Sequence, residues 1–239
     1  MHVLRLAMLS LALLLAACQP GAPAATPTPT PTPAEIAAGV GRATQAAQSL
    51  RFAVTLAGRP VFTDASRLFA LTAMDGALQR PGGVLATLKV SSAAGVAEVR
   101  TVTLAGKQYI TNPLTRAWQC VAPGAAFDPA VLFEPGRGIE ALLQDGLEDV
   151  ALAGEEEIGG RPSYHLRGTI EGARLAAISG GLLGAGPVPT DIWADKGTLR
   201  ASKIVLVDAA TDASAPTTWT MTFSGYDEPV DVRAPVECP

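Results

Sequence analysis

Few residues in this 239-residue chain have types suited to chemistry. Its two histidines are His2 and His165, and its three cysteines are Cys18, Cys120 and Cys238. A Ser-His-Asp triad would have only His165 as its base, because His2 falls in an apolar leader. No Gly-x-Ser-x-Gly elbow is present to expose a nucleophile. Zinc takes three or four closely spaced His, Cys or carboxylate ligands, which one histidine and two distant cysteines do not supply. Glu155-Glu156-Glu157 reads as a solvated strand end, and no glycine loop followed by Lys-Ser or Lys-Thr offers a phosphate cradle. His165 sits between Tyr164 and Leu166 in an alternating segment, which points it away from both and toward solvent. The sequence therefore predicts no catalytic residue, no metal and no cofactor.

Cys18 has another use. Met1 to Arg5 carries one positive charge, and Leu6 to Ala17 is an apolar run too short to span a bilayer, for which roughly 20 residues are needed. Residues 1–17 read as a signal peptide. The run ends Leu15-Ala16-Ala17-Cys18, which resembles the lipobox of bacterial lipoproteins, where the cysteine becomes acylated and N-terminal. Cys18 is then the lipid-attachment site and the membrane anchor. Residues 18–33 form a Thr/Pro-rich linker that cannot be helical, since proline lacks the amide donor, and that favours an extended spacer rising about 3.1 Å per residue. The predicted location is the cell membrane or outer membrane, lipid-anchored and facing the periplasm or the exterior.

With Cys18 assigned to lipid, Cys120 and Cys238 remain as an even pair in an exported chain. They read as a disulfide tying the C-terminus to the middle of the domain, with two free thiols as the alternative. Removing residues 1–17 takes away Arg5 and leaves 17 basic against 22 acidic side chains. No basic patch stands out, so nucleic acid is not an expected partner.

The folded part, 34–239, is predicted to be one α+β domain. Ile36, Val40, Ala43, Ala47 and Leu50 recur at helical spacing, so a helix is expected over Ala34 to Leu50, started by Thr32. From Phe52 the period changes to two, and it recurs at Val84–Val90, around Val102–Leu104, at Tyr164–Ile170 and at Trp219–Phe223. Asp75-Gly76, Pro81-Gly82-Gly83, Asn112-Pro113 and Gly159-Gly160 are read as turns between strands, and such short links imply antiparallel pairing. Asp128 to Gln144 reads as two short helices broken at Pro135-Gly136. Ala173 to Gly186 is apolar but contains four glycines, a composition poorly suited to a rigid core helix. It suggests a flap in which Leu175, Ile178, Leu182 and Leu183 cover a cavity.

Several segments in order resemble the LppX/LprAFG family of lipoproteins, whose fold is similar to the LolA and LolB carriers. "KQYITNPLTRAWQCV" resembles a strand-turn-strand carrying Tyr109, Thr115 and Trp118. "EEIGGRPSYHLRGTIEG" resembles the next hairpin, and "DIWADKGTLRASKIVLV" a strand with Trp193 and Asp195, a turn and a return strand. "FSGYDEPVDVRAP" resembles the closing segment, with Phe223, Tyr226, Pro229, Val232 and Pro235. The resemblance implies a strongly curved antiparallel half-barrel with a few helices on its concave face and an apolar cavity between. It implies a membrane-anchored lipoprotein that carries or presents a lipid or glycolipid within the cell envelope, with no catalytic residues. The alternative is a structural lipoprotein that binds another envelope protein and no cargo.

Overall fold

Thr32 starts the first helix by a reciprocal cap. Its Oγ1 accepts from the Glu35 N–H at 3.3 Å, and Glu35 Oε2 accepts from the Thr32 N–H at 2.7 Å, which satisfies two donors that a helix N-terminus leaves open. The helix, α1, spans Pro33–Gln45 and is shorter than its periodicity predicts. Ala47 and Leu50 fit the helical spacing but lie beyond the helix: both are buried, Ala47 in the link that follows it and Leu50 in the next strand, where it pairs with Leu78 of a neighbouring strand. The computed structural model describes residues 30–63, 66–122, 124–210 and 212–238.

Twelve strands follow among the described residues: β1 Ser49–Gly58, β2 Val61–Phe62, β3 Ala70–Gln79, β4 Gly83–Ser92, β5 Gly95–Leu104, β6 Lys107–Thr111, β7 Trp118–Val121, β8 Leu147–Ile158, β9 Arg161–Ile170, β10 Val188–Asp195, β11 Ala201–Asp208 and β12 Thr217–Ser224. They form one antiparallel sheet in the order β7-β6-β5-β4-β3-β1-β12-β11-β10-β9-β8, with the short β2 beside β3. β7 and β8 lie at opposite edges, so the sheet curves into a half-barrel and does not close. Gly159-Gly160 is the two-residue turn joining β8 to β9, both at positive φ, as a tight hairpin requires.

Asp75-Gly76 is no turn. Both residues lie inside β3, where Gly76 faces Phe52 of β1. A Cβ at Gly76 would come within 2.7 Å of the Phe52 ring and 2.3 Å of the Leu85 carbonyl oxygen. The glycine makes room for an aromatic ring in a strand interior.

Three helices and a 3₁₀ turn complete the unit. The 3₁₀ turn Pro129–Phe133 is capped by Asp128, whose Oδ1 accepts from the Ala130 N–H at 2.9 Å. Helix α2 spans Ile139–Asp145 and α3 spans Gly172–Ser179. α1 and α2 pack closely at Gly41, where a Cβ would stand 2.5 Å from the Glu140 carbonyl oxygen. Beneath that contact Glu140 is buried and paired with Arg80 at 2.5 Å, while its Oε2 has no partner. Burial pushes the Glu140 carboxyl up to about 7 although the Arg80 guanidinium pulls it down.

The main core lies on the concave face. Phe52, Val54, Met221 and Phe223 of the central strands meet Ile139 and Leu142 of α2 and Leu175 and Ile178 of α3. A smaller core lies on the convex face, where Val232 of the C-terminal tail covers Val102 and Tyr109. Strands, helices and both cores fall within residues 31–239, so this unit holds the packing its folding needs.

Candidate functional site

The strand register brings one set of apolar side chains to the centre of the concave face. Val54 of β1 stands opposite Met74 of β3 on one side and Met221 of β12 on the other. Trp219 of β12 stands opposite Leu206 of β11. These residues floor an apolar cavity of about 30 Å³. Phe127, Leu132 and Ile139 form its side, and Leu175, Ile178, Leu182 and Leu183 its roof. A space of that size holds one or two waters at most, and an apolar lining of this kind stays dry. Phe127 and Leu182 also border a surface groove of about 500 Å³, so these two residues line both groove and cavity.

The roof is built in two halves. Leu175 and Ile178 sit on the inner face of α3 and are fully buried. The glycines that argued against a helix, Gly180, Gly181, Gly184 and Gly186, all follow its last residue, and Gly180 ends it at φ 63°, the left-handed conformation that suits a helix C-cap. Beyond it the chain returns across the cavity, with Leu183 buried and Leu182 half-buried. The Leu183 N–H donates to Ser179 Oγ at 3.1 Å and the Gly184 N–H to Asp208 Oδ2 at 2.8 Å. The two ends of the segment meet, since a Cβ on Gly172 would lie 1.9 Å from the Gly186 carbonyl oxygen.

One residue of the cavity wall carries a polar atom without a partner. Trp219 is 6% exposed, and its Nε1–H is buried with no acceptor among the described residues. A buried donor left in this state costs about 1–3 kcal/mol. The other polar wall residue is satisfied, because Ser179 Oγ donates to the Ala176 carbonyl oxygen at 3.4 Å. The sequence alone places Trp219 in a strand and gives it no role. A tryptophan among threonines and methionines, on the buried parity of its strand, is the signal that could have found it, because buried indoles ordinarily find an acceptor.

The remaining predicted residues lie elsewhere. Cys120 on β7 and Cys238 at the end of the tail are joined as a disulfide, with Cα atoms 5.8 Å apart. Cys18, residues 1–17 and the linker up to Pro29 lie outside the described residues. His165 is not solvent-facing. It is 6% exposed and stacks on Trp193 with ring centres 4.2 Å apart. Its Nδ1 lies 2.8 Å from Glu156 Oε1 and its Nε2 2.5 Å from Asp191 Oδ1. Asp191 also accepts from Arg167 Nε at 2.9 Å. Burial pushes the Asp191 carboxyl up, but the bonds from Arg167 and His165 bring it below the usual carboxylate range. Glu156 accepts from Trp193 Nε1 at 3.0 Å, so this part of the acidic run is bonded rather than merely solvated. The cluster sits on the convex face, away from the cavity, where the pleat puts residues of the opposite parity.

The site is thus an apolar cavity between an open, curved antiparallel sheet and the helices that roof it. The chain belongs to the LppX_LprAFG lipoprotein family, whose pattern matches residues 32–232. Among solved structures it is similar to LprF from Mycobacterium bovis, at 18% identity and a TM-score of 0.68, covering 88% of this chain and 100% of that one. It is also similar to the lipoprotein LppX of Mycobacterium tuberculosis, at 17% identity and a TM-score of 0.60, covering 84% and 98%. A LolA superfamily protein from Nitrosomonas europaea lies further off, at 10% identity and a TM-score of 0.30, covering 82% and 92%. No curated protein matches the chain in sequence. The family places the protein among lipid-anchored proteins of the cell envelope. Among the described residues no helix is long and apolar enough to cross a membrane.

Proposed function

We propose that this protein, anchored through acylated Cys18, binds an acyl lipid or glycolipid between the concave face and the α3 segment and carries or presents it within the envelope. The observation that carries this reading is the apolar cavity of about 30 Å³ lying beside a groove of about 500 Å³ that shares Phe127 and Leu182 with it. A ligand pocket ordinarily measures about 300–1,000 Å³, so cargo would enter by displacing the segment after Ser179. That segment is suited to such a movement. It contains Gly180, Gly181, Gly184 and Gly186, a composition that keeps alternative backbone conformations accessible. Phe127 and Leu182 form the gate, and Leu175 and Ile178 stay packed.

The small present volume also supports a second reading, a lipoprotein that binds an envelope protein and holds no cargo. Native mass spectrometry of residues 31–239, before and after organic extraction, separates the two. Co-purified lipid that extraction removes supports the carrier; a single unliganded mass, with no lipid taken up from added mixtures, overturns it. The anchor is tested separately. Cys18→Ser should lose the acyl mass and leave the detergent phase, and unchanged partitioning would refute that assignment.

A further inference from the structure

We propose that the end of the sheet where β1, β4, β6 and β9 finish docks on an anionic phospholipid bilayer, with Val96 and Leu114 entering it, Leu68 beside them, and Arg67 and Arg116 meeting lipid phosphates. The proposal rests on the carrier reading above for its purpose, and goes beyond it by saying which surface of the domain meets the membrane. Three observations lead to it: where the exposed apolar side chains stand, what charge accompanies them, and what opens at the same end.

Among the described residues four large apolar side chains are exposed: Leu68 at 61%, Val96 at 72%, Leu114 at 91% and Leu152 at 44%. Single exposed apolar residues need no explanation, but the first three share one end of the sheet. Val96 of β5 pairs with Ser91 of β4, and Ser91 with Ala70 of β3, so Leu68, two residues before Ala70, lies on the same rim. The Arg100 N–H donates to Thr111 Oγ1 at 2.8 Å, which sets the last residue of β6 beside the middle of β5. The turn 112–116 then runs on toward the Gly95 end of β5, and it carries Leu114. Asn112 Oδ1 accepts from the Leu114 and Thr115 N–H groups at 2.9 and 3.0 Å, so the turn holds the leucine out rather than folding it back.

Arg67 and Arg116 flank these side chains, and both are exposed. None of the ion pairs among the described residues uses either of them, and Arg67 lies over the Phe62 ring, 4.7 Å from its centre. The acids of this end are engaged elsewhere. Asp212 pairs with Arg59 at 3.6 Å, Asp208 accepts from the Gly184 and Ala210 N–H groups, and Glu98 stands opposite Lys89 in the ladder. The chain as a whole is acidic, but charges beyond about 8 Å are largely screened at physiological ionic strength, so the arginines at the rim decide the local attraction. Single apolar side chains on separate turns do not form the continuous core of a protein interface. A bilayer needs no such core, because its acyl chains close round each side chain, and guanidinium groups match phosphate oxygens.

The groove beside the cavity opens at this end as well. Thr63 lines it together with Leu182, and Thr63 belongs to the loop of Arg67 and Leu68, since its N–H donates to the Phe69 carbonyl oxygen at 2.9 Å. α3 and the segment after it fill the connection between Ile170 and Val188, which pair at the end of β9 and the start of β10. Docking here would set the groove against the acyl chains of the bilayer, giving cargo a route that avoids water.

The test uses residues 31–239, which lack the anchor, and sedimentation with vesicles of phosphatidylcholine alone or mixed with phosphatidylglycerol. The wild type should bind the mixed vesicles more tightly, and added salt should weaken that binding. Val96→Ser with Leu114→Ser should reduce it at least about tenfold, and Arg67→Gln with Arg116→Gln about tenfold at low salt. Leu152→Ser on β8 should change nothing. Every one of these positions is exposed, so the variants should keep the wild-type melting temperature. No binding to either vesicle, equal binding to both, or the same loss from Leu152→Ser overturns the proposal. A dimer in free solution that Leu114→Ser dissociates also overturns it, by giving the surface to a second copy. Hydrogen exchange of the wild type decides the matter without a variant: mixed vesicles should protect residues 95–97 and 112–116, and unchanged exchange there refutes docking. Vesicle binding with no lipid in the native mass spectra sinks the cargo reading and leaves docking standing; lipid-laden protein that ignores vesicles sinks docking alone.

Discussion

The two ends of the sheet keep water off their convex face by different means. At the β4–β7 end a length of irregular chain does it. The tail after β12 crosses the strands, Val232 is 7% exposed against Val102 and Tyr109, and Cys238 is bonded to Cys120 on the edge strand. At the β8–β11 end no added chain is needed. His165, Trp193 and Lys203 stack across three adjacent strands, with Lys203 Nζ 4.2 Å from the Trp193 ring centre, and Glu156 and Asp191 close the sides. A strap is held apart from the ladder and makes few backbone bonds: the Asp227 N–H donates to the Ser49 carbonyl oxygen and the Val232 N–H to Gln79 Oε1. It gains from covalent closure. A stack built from strand residues is already positioned by the ladder, but its charges make it sensitive to pH.

Breaking the strap should have the largest effect. Replacing Cys120 and Cys238 by alanine opens a link of sequence separation 118, and chain-entropy estimates for so long a loop reach about 4–5 kcal/mol as an upper figure. Denaturant melts should show a loss of that order or less. Hydrogen exchange should quicken in the tail and leave β9 and β10 protected, and a tail that stays fully protected would break the contrast.

Next comes Glu140, which belongs to neither end and must be accounted for before their pH responses are compared. Its folded-state carboxyl, at about 7, lies above the ordinary 4.5. The folded protein therefore holds this proton more tightly than the unfolded chain does. Stability from this group is fully present below pH 4.5, falls as pH rises toward 7, and then levels off. Integrated over that shift the fall is about 3 kcal/mol at most. Glu140→Gln should flatten this part of the stability curve, and an unchanged slope would refute the assignment.

His165→Ala then tests the polar end. It removes a ring stacked on Trp193 and leaves Glu156 and Asp191 without their shared donor, at a cost of about 1–3 kcal/mol. Exchange should quicken in β8 and β10 with the strap unaffected. The smallest effect is expected from Asp191→Asn, about 1 kcal/mol at neutral pH for a partly exposed pair. The folded-state pKa of Asp191 is below the ordinary 3.8, so its contribution is present above that value and is lost as pH falls through the depressed one. In the Glu140→Gln background the wild-type Asp191 protein should lose this increment in acid, and the Asn variant should not.

Much of the architecture was legible locally. The Thr32–Glu35 cap, the period-two runs, the Gly159-Gly160 hairpin and the break at Pro135-Gly136 each depend on neighbours a few residues apart. The misreadings came where a distant partner decided. Leu50 fits a helix stripe as well as a strand, and pairing with Leu78 chose the strand. Asp75-Gly76 carries turn chemistry, and the Phe52 ring across the ladder turned it into a strand interior. His165 had no visible company in sequence, because Glu156 and Asp191 reach it only through the β8–β9–β10 register.

By itself the sequence determined the start of α1, the α+β class with antiparallel strands, and the parity that sends Val54, Trp219 and Met221 to one face. These follow from periodicity, capping and turn chemistry, which act over short stretches of chain. Only the tertiary structure decided that those side chains enclose a space, that the Trp219 N–H is buried with no acceptor among the described residues, and that the tail covers one end of the convex face while a histidine between two carboxylates covers the other. Such features arise from which strands become neighbours and how far the sheet curves, and that depends on packing across the whole fold rather than on any local pattern.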